Sequence, residues 1–339
     1  MMIEKTLAYI HPNGKEVFKV VLTNQNGMRV NITNLGNIIS ALEFNGVNLV
    51  LGFEDLKHYL SPAYLTSYPF LGAVIGRTAN RIKDGRFELD GKSYQLAQNL
   101  GRDSLHGGVE GFDKKVWEII AINEEENSVR FRYKSPDGEE HFPGNLIIDQ
   151  EYKLTESNEL IMDSFAETDA PTLINLTHHD YFNLNGSGSI GKHRVRINAR
   201  EYLGQDDQLV ADGRKIPVEG TVYDFQTTKE VLANKPEYDQ SFCIQDADGS
   251  LQLAAEATGD VTGISLQVLT TDPIVHLYTG SGLPELEFDG KKYFGPSTGF
   301  CFETQKEPNA INIPGFSNTV LRPGERYFQR VVYGVRREA

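Results

Sequence analysis

The sequence predicts an all-β protein, built from many short antiparallel strands gathered into one large domain over residues 1–339. Three observations predict it. Asn-Gly or Asp-Gly pairs recur from end to end, with first residues at 13, 26, 45, 84, 90, 137, 185, 212, 248 and 289. Such pairs supply the positive φ angles that tight hairpins need. The runs between them alternate apolar and polar residues with a period of two, the signature of a half-buried strand. Helical periodicity is nearly absent.

In chain order, the alternating runs include Val17–Leu22, Arg86–Leu89, Val129–Tyr133, Arg194–Ile197 and Ile264–Val268. Each is short enough to be one strand and is bounded by turn residues. Phe53–Leu60 and Thr228–Ala233 read as short helical turns. In Gly299–Gln305, alternation sends Phe300 and Phe302 to one face and Cys301, Glu303 and Gln305 to the other. Hairpin signals never pause for a linker or a repeat. An outsized sandwich or a stack of curved sheets therefore suits the chain better than a small barrel. Function in such folds lies in a groove on one sheet or at the loop ends.

Bulk composition narrows the partners. With 39% hydrophobic and 24% charged residues the chain is an ordinary globular one. A net charge of −14 disfavours nucleic acid and anionic membrane. No stretch approaches the ~20 apolar residues of a membrane span. Met1–Ile10 carries Glu4 and Lys5 and lacks a signal-peptide core. Cys243 and Cys301, in apolar contexts, read as free buried thiols and suit a reducing cytoplasm.

Five segments concentrate polar residues that are costly to bury without purpose. They are Gly76–Ile82, Asn99–Gly108, Asn175–Leu184, Tyr238–Phe242 and Gly299–Gln305. His178 and His179 are adjacent, and neighbouring side chains of a strand face opposite ways, so only one can face a cleft. The same divergence argues against a metal held by His178, His179 and Asp180. Glu303, a carboxyl in an otherwise apolar and aromatic strand, is a candidate general base. Gly186–Gly191 spells G-x-G-x-x-G but precedes a strand-like run rather than a helix, so dinucleotide binding is not expected. Arg77 reads as structural, paired with a carboxylate.

These segments, in this order, closely resemble the aldose 1-epimerase (galactose mutarotase) family. The resemblance runs from Gly36 to the terminal Leu321–Tyr327 and rests on Arg-Thr-Ala-Asn-Arg-Ile, Leu-His-Gly-Gly, His-x-Tyr-Phe-Asn-Leu and Glu-Thr-Gln. It implies a β-supersandwich, a monosaccharide substrate, and catalysis without metal or cofactor. Carried over, the histidine two positions before Tyr181-Phe182 is His179, the ring-oxygen acid, and the glutamate of Glu-Thr-Gln is Glu303, the base. His178 is then structural, hydrogen-bonded on the opposite face. The resemblance assigns sugar binding to Asn80, Arg81, His106 and Asp239, and Tyr181 or Phe182 offers an aromatic floor. Two departures stand out: Gln240 replaces the usual histidine after Asp239, and His276 occupies a position where many members bind sugar with glutamine. Gln240 is expected to face away from Asp239. Hexoses such as galactose and glucose are the expected substrates. A disaccharide such as maltose, a non-catalytic sugar-binding role, and glycoside hydrolysis by Asp239 and Glu303 are the rivals. A monomer and a homodimer are both compatible with the sequence.

Overall fold

The computed structural model describes residues 2–232, 235, 237–288 and 290–337. Its largest sheet has nine strands. In spatial order they are Glu118–Asn123, Ser128–Ser135, Leu146–Leu154, Glu159–Thr168, Tyr327–Arg337, Ile264–Thr270, Gln252–Thr258, Arg194–Ile197 and Lys229–Glu230. Every pairing in it is antiparallel. Alternation, expected for Arg194–Ile197 and found there, is visible also in Leu146–Leu154, where Leu146, Ile148, Gln150, Tyr152 and Leu154 are buried and the residues between them are partly exposed. Each large apolar side chain so buried contributes roughly 1.5–3 kcal/mol. Gln150 is the polar exception, and its Oε1 accepts from Ser164 Oγ at 2.6 Å.

A five-stranded sheet holds the first strands: Met2–Ile10, Glu16–Thr23, Arg29–Thr33, Ile39–Phe44 and Val47–Asn48. A second five-stranded sheet orders Ala211–Pro217, Ala199–Gln205, Asp239–Ile244, Ile274–Tyr278 and Cys301–Gln305. One apolar core joins all three sheets, with Val30 and Leu42 from the first, Phe131 and Tyr333 from the largest, and Phe242, Leu277 and Phe302 from the last. Cys301–Gln305, though last in its sheet, is buried on both faces. That is why its sequence carries aromatics on one side and a carboxyl on the other.

The turn signals divide into three groups. The pairs at 13, 26, 45, 90 and 137 join strands that pair with each other. Asn45-Gly46 and Asp90-Gly91 have φ of 51° and 77°, and 52° and 75°, the two positive angles of a tight hairpin turn. The pair at 289 also lies between paired strands, Glu287–Phe288 and Lys291–Lys292, although Asp289 itself is outside the described residues. The pairs at 84, 185 and 248 connect strands of different sheets, and Asp212-Gly213 lies inside the strand Ala211–Pro217 rather than at a turn. There Asp206 instead closes the turn, its carboxyl accepting from the N–H groups of Gln208 and Val210.

Leu56–Leu60 is a 3₁₀ turn capped by Asp55, followed by a helix at Pro62–Thr66 capped by Ser61. The expected helix at 228–233 is not formed over its described residues. Lys229–Glu230 pairs with Arg194–Val195 as an edge strand, because a tertiary partner outweighs the propensity of so short a run. Ala233 lies outside the described residues.

Arg77 is structural but has no direct carboxylate partner among the described residues. Its guanidinium donates to the carbonyls of Ser135, Pro136 and Pro143 and to the hydroxyls of Ser135 and Thr172. Glu139 reaches it only through Ser135 Oγ. Fully buried, it ties together three segments of the chain, at Ser135 and Pro136, at Pro143 and at Thr172. Neither cysteine forms a disulfide; Cys301 is buried, whereas Cys243 is partly exposed rather than buried as expected. No helix among the described residues is long and apolar enough to cross a membrane.

Candidate active site

The register of the second five-stranded sheet builds one wall of a cavity of about 200 Å³. Ser241 lies opposite His276, and His276 lies opposite Glu303. Three strands thus deliver three polar side chains in a row. Asp239, two residues before Ser241, shares its face.

That wall is an ordered network. Ser241 Oγ lies 2.8 Å from His276 Nδ1, and His276 Nε2 lies 2.9 Å from Asp239 Oδ1. A carboxylate can only accept, so His276 Nε2 donates its proton to Asp239, and the Ser241 hydroxyl holds Nδ1. Arg81 Nη2 stands 3.6 Å from the other Asp239 oxygen. Burial alone would raise the Asp239 carboxyl, but the hydrogen bond and charge of His276, with Arg81 and His106 nearby, hold it far below the usual carboxylate range. Gln240 faces away, as expected. Its Nε2 donates at 2.6 Å to the Leu203 carbonyl and braces the neighbouring strand.

The opposite wall is made by tight backbone. Arg81–Ile82 pairs with Ser104–Leu105. Just before the one and just after the other, Asn80 and His106 take left-handed conformations with φ of 59° and 51°. The two residues bind each other reciprocally: the His106 N–H donates to the Asn80 carbonyl at 3.1 Å, and the Asn80 N–H donates to His106 Nδ1 at 3.2 Å. Gly107 follows because a Cβ there would lie 2.0 Å from the Gly76 carbonyl oxygen. With Nδ1 accepting, the neutral His106 ring carries its proton on Nε2. Burial, then His179, Arg81 and His276, push His106 well below its ordinary range, so it stays neutral. His106 is thereby a hydrogen-bond donor to the cavity that it lines.

His179 enters between these walls. Its backbone is pinned by N–H donation to Ala73 O at 2.9 Å and by acceptance from Gly72 N–H at 3.0 Å. Nε2 stands 3.6 Å from Glu303 Oε1. Residues His106, His179 and Glu303 bring ligand-type atoms within 4.8 Å of one another. A metal would nevertheless need a lone pair from His106, whose Nδ1 is taken by Asn80 and whose Nε2 is protonated. The cluster suits proton and hydrogen-bond chemistry better than coordination.

All seven residues singled out from sequence, Asn80, Arg81, His106, His179, Asp239, His276 and Glu303, line this one cavity. Two of them differ in detail from the expectation. Asn80 spends its Oδ1 on the Arg81 N–H at 2.8 Å, so it chiefly shapes the turn that carries Arg81. His276 lines the cavity, but both its nitrogens are engaged by Ser241 and Asp239.

His178 and Asp180 point to the core. His178 is buried against Tyr152, with ring centroids 5.7 Å apart, and neither nitrogen has a hydrogen-bond partner among the described residues. The expected hydrogen bond on that face is therefore absent. Burial lowers its pKa to about 3, which keeps the ring neutral and tolerable there. Of the two aromatic floor candidates, Tyr181 lines the cavity and donates to Pro69 O, whereas Phe182 belongs to the core.

Sequence reasoning missed Phe70. Its ring lies 4.7 Å from that of His106 and 5.8 Å from that of His179, on a backbone with φ of 57°. Bulky residues seldom hold such a conformation outside functional sites. No periodic signal marks it. Cys301 was legible as a face-mate of Glu303, but its partner was not.

The family model described as aldose 1-epimerase matches residues 19–334. The chain is 39% identical over 329 residues to galactose mutarotase of Sus scrofa, covering 93% of each chain. It is 34% identical over 350 residues to aldose 1-epimerase of Escherichia coli strain K12, covering 98% of this chain and 99% of the other. The crystal structure of an aldose epimerase homologue from C. elegans superposes with a TM-score of 0.86 at 28% identity, covering 95% of this chain and 99% of that one. With a family model spanning nearly its whole length and curated relatives well above 30% identity, the chain belongs to the aldose 1-epimerase family.

Proposed function

We propose that this protein is a mutarotase that interconverts the α and β anomers of free hexoses such as galactose and glucose. The observation that carries the reading is the pairing of Glu303 Oε1 with His179 Nε2 at 3.6 Å inside the cavity. Mutarotation needs a base at the C1 hydroxyl and an acid at the ring oxygen, both at once. Glu303 takes the C1 hydroxyl proton as the C1–O bond to the ring oxygen breaks, and His179 Nε2 protonates that oxygen. The aldehyde turns about C1–C2, and the same two groups, with roles reversed, close the ring on its other face.

The remaining groups hold the sugar. The His106 Nε2–H and the Arg81 guanidinium are donors for oxygens that gain charge on opening. Asp239, held ionised, accepts from sugar hydroxyls and fixes the pose. Because it is tied to His276 and Arg81, it is not free to act as the second carboxyl of a glycoside hydrolase. Every group of the site comes from one chain, so a monomer and a homodimer would each carry complete sites. The cytoplasm suits its two unpaired cysteines.

Polarimetric relaxation of α-galactose, α-glucose and maltose tests the reading. Acceleration of the two hexoses is expected, with a loss of roughly 10²- to 10⁴-fold in Glu303→Gln. A Glu303→Gln variant that relaxes sugar at the wild-type rate would overturn the mechanism, and a clear preference for maltose would overturn the hexose assignment.

A further inference from the structure

The proposed acid has a second nitrogen, and that nitrogen faces a thiol. His179 Nδ1 lies 3.5 Å from Cys301 Sγ, within the reach of a sulfur hydrogen bond. Among the described residues, Sγ is the only polar partner of Nδ1. Cys301 is fully buried and sits two residues before Glu303 on the same strand face. One strand therefore supplies both the base and the backing of the acid. The same antiparallel register, with Cys301 opposite Tyr278 and Glu303 opposite His276, fixes both positions.

We infer that Cys301 is a positioning residue for the mutarotation proposed above: it accepts the Nδ1–H of His179 and thereby presents Nε2 to the ring oxygen throughout the cycle. Protonated His179 bears hydrogens on both nitrogens. It gives the Nε2 proton to the ring oxygen while Glu303 removes the C1 hydroxyl proton, the ring C1–O bond breaks and the C1 carbonyl forms. The Nδ1 proton never leaves. After transfer, Nε2 holds a lone pair aimed at the sugar and takes its proton back on closure. The opposite neutral tautomer, with the thiol donating to Nδ1, would leave a proton on Nε2 and block that return.

The choice of sulfur has a physical consequence. Burial, with Glu303, Asp180 and Asp239 nearby, pushes the Cys301 thiol well above its ordinary range, so it remains neutral. A neutral thiol is a weak acceptor. It orients the ring without the strong charge pairing that a carboxylate at Nδ1 would add, and that pairing would make an acid less willing to give up its proton. Besides Cys301 at Nδ1 and Glu303, whose Oε1 stands 3.6 Å from Nε2, the neighbours of the ring are aromatic. Tyr181, His106 and Phe70 lie with ring centroids 5.0, 5.3 and 5.8 Å away, and they confine the plane without choosing the tautomer.

The test reads the tautomer directly. In ¹⁵N-labelled full-length protein at alkaline pH, the His179 ring signals, assigned by their loss in His179→Gln, should show the proton on Nδ1. Cys301→Ala should shift that population toward the Nε2–H form and lower kcat roughly tenfold with KM nearly unchanged, about the factor that one neutral hydrogen bond is worth. Cys301→Ser, which keeps an acceptor, should recover most of the loss. A wild-type ring protonated on Nε2, or equal kcat in Cys301→Ala and wild type, would overturn the inference. So would equal losses in the Ala and Ser variants. The wild-type spectrum decides even where Cys301→Ala fails to fold. The tautomer is read without turnover, so an inactive wild type would count against mutarotation alone.

Discussion

Asp180 follows the proposed acid in sequence, yet its side chain is buried in the core, where Tyr333 O–H donates to its Oδ2 at 2.9 Å. Among the described residues, its Oδ1 has no partner. Burial raises the carboxyl from 3.8 to about 8, partly offset by the Tyr333 hydrogen bond. The folded state thus keeps this proton across a range where the unfolded chain has lost it. A folded pKa raised above the unfolded one means that the group costs nothing below about pH 4 and costs more with each unit up to about pH 8. Each unit is worth about 1.4 kcal/mol, so the cost reaches about 4 kcal/mol at pH 7. Asp180→Asn has the same shape, keeps an oxygen for Tyr333, and carries no charge to suppress. The variant should match wild type near pH 4 and exceed it increasingly toward pH 8. For 339 residues, the difference at pH 7 corresponds to roughly 6 °C in Tm. Calorimetric Tm of both proteins from pH 4.5 to 8 is the assay. A Tm difference that is constant with pH, or that shrinks as pH rises, would refute the reasoning.

Other perturbations probe the remaining supports. Arg77→Met removes the guanidinium that satisfies three carbonyls and two hydroxyls, and urea unfolding should show a loss of about 3–5 kcal/mol. Asp239→Asn weakens a charge-assisted bond to His276 and the pairing with Arg81, so kcat/KM should fall roughly 10- to 100-fold, mainly through KM, in steady-state assays. Gln240→Ala strands the Leu203 carbonyl and should cost about 1–2 kcal/mol of stability while leaving KM for galactose at its wild-type value; a raised KM would mean that Gln240 reaches the sugar.

The fold was legible where solvent and core impose a contrast on neighbouring residues. Arg86–Leu89 and Arg194–Ile197 declare themselves by alternation, and Asn45-Gly46 and Asp90-Gly91 by the angles that their turns require. Asp212-Gly213 misled because a dipeptide that can turn need not do so; Asp206 turns the chain a few residues earlier. Thr228–Ala233 misled because a run that short carries no period of its own, and its strand is set by pairing with Arg194–Val195.

At the site, residue types and the family resemblance together named Asn80, Arg81, His106, His179, Asp239, His276 and Glu303, which share the cavity. What they could not convey was the second layer of contacts. That Asn80 would lend its N–H to His106, that His276 would be held at both nitrogens, and that Cys301 would back His179 all depend on approaches between distant segments. The missing partner of His178 was equally hidden, since sequence alternation says which way a side chain points but not what awaits it there.

That alternation also supplies the sharpest test of the central claim, because His178 and His179 differ by one position and by everything around them. The measurement is the polarimetric relaxation rate of α-galactose, per folded molecule, for His178→Asn and His179→Asn beside wild type. If His179 is the ring-oxygen acid opposite Glu303, its variant loses roughly 10²- to 10⁴-fold, while His178→Asn, unable to reach the cavity, retains the wild-type rate. A wild-type rate in His179→Asn, or a comparable loss in His178→Asn, would contradict the account.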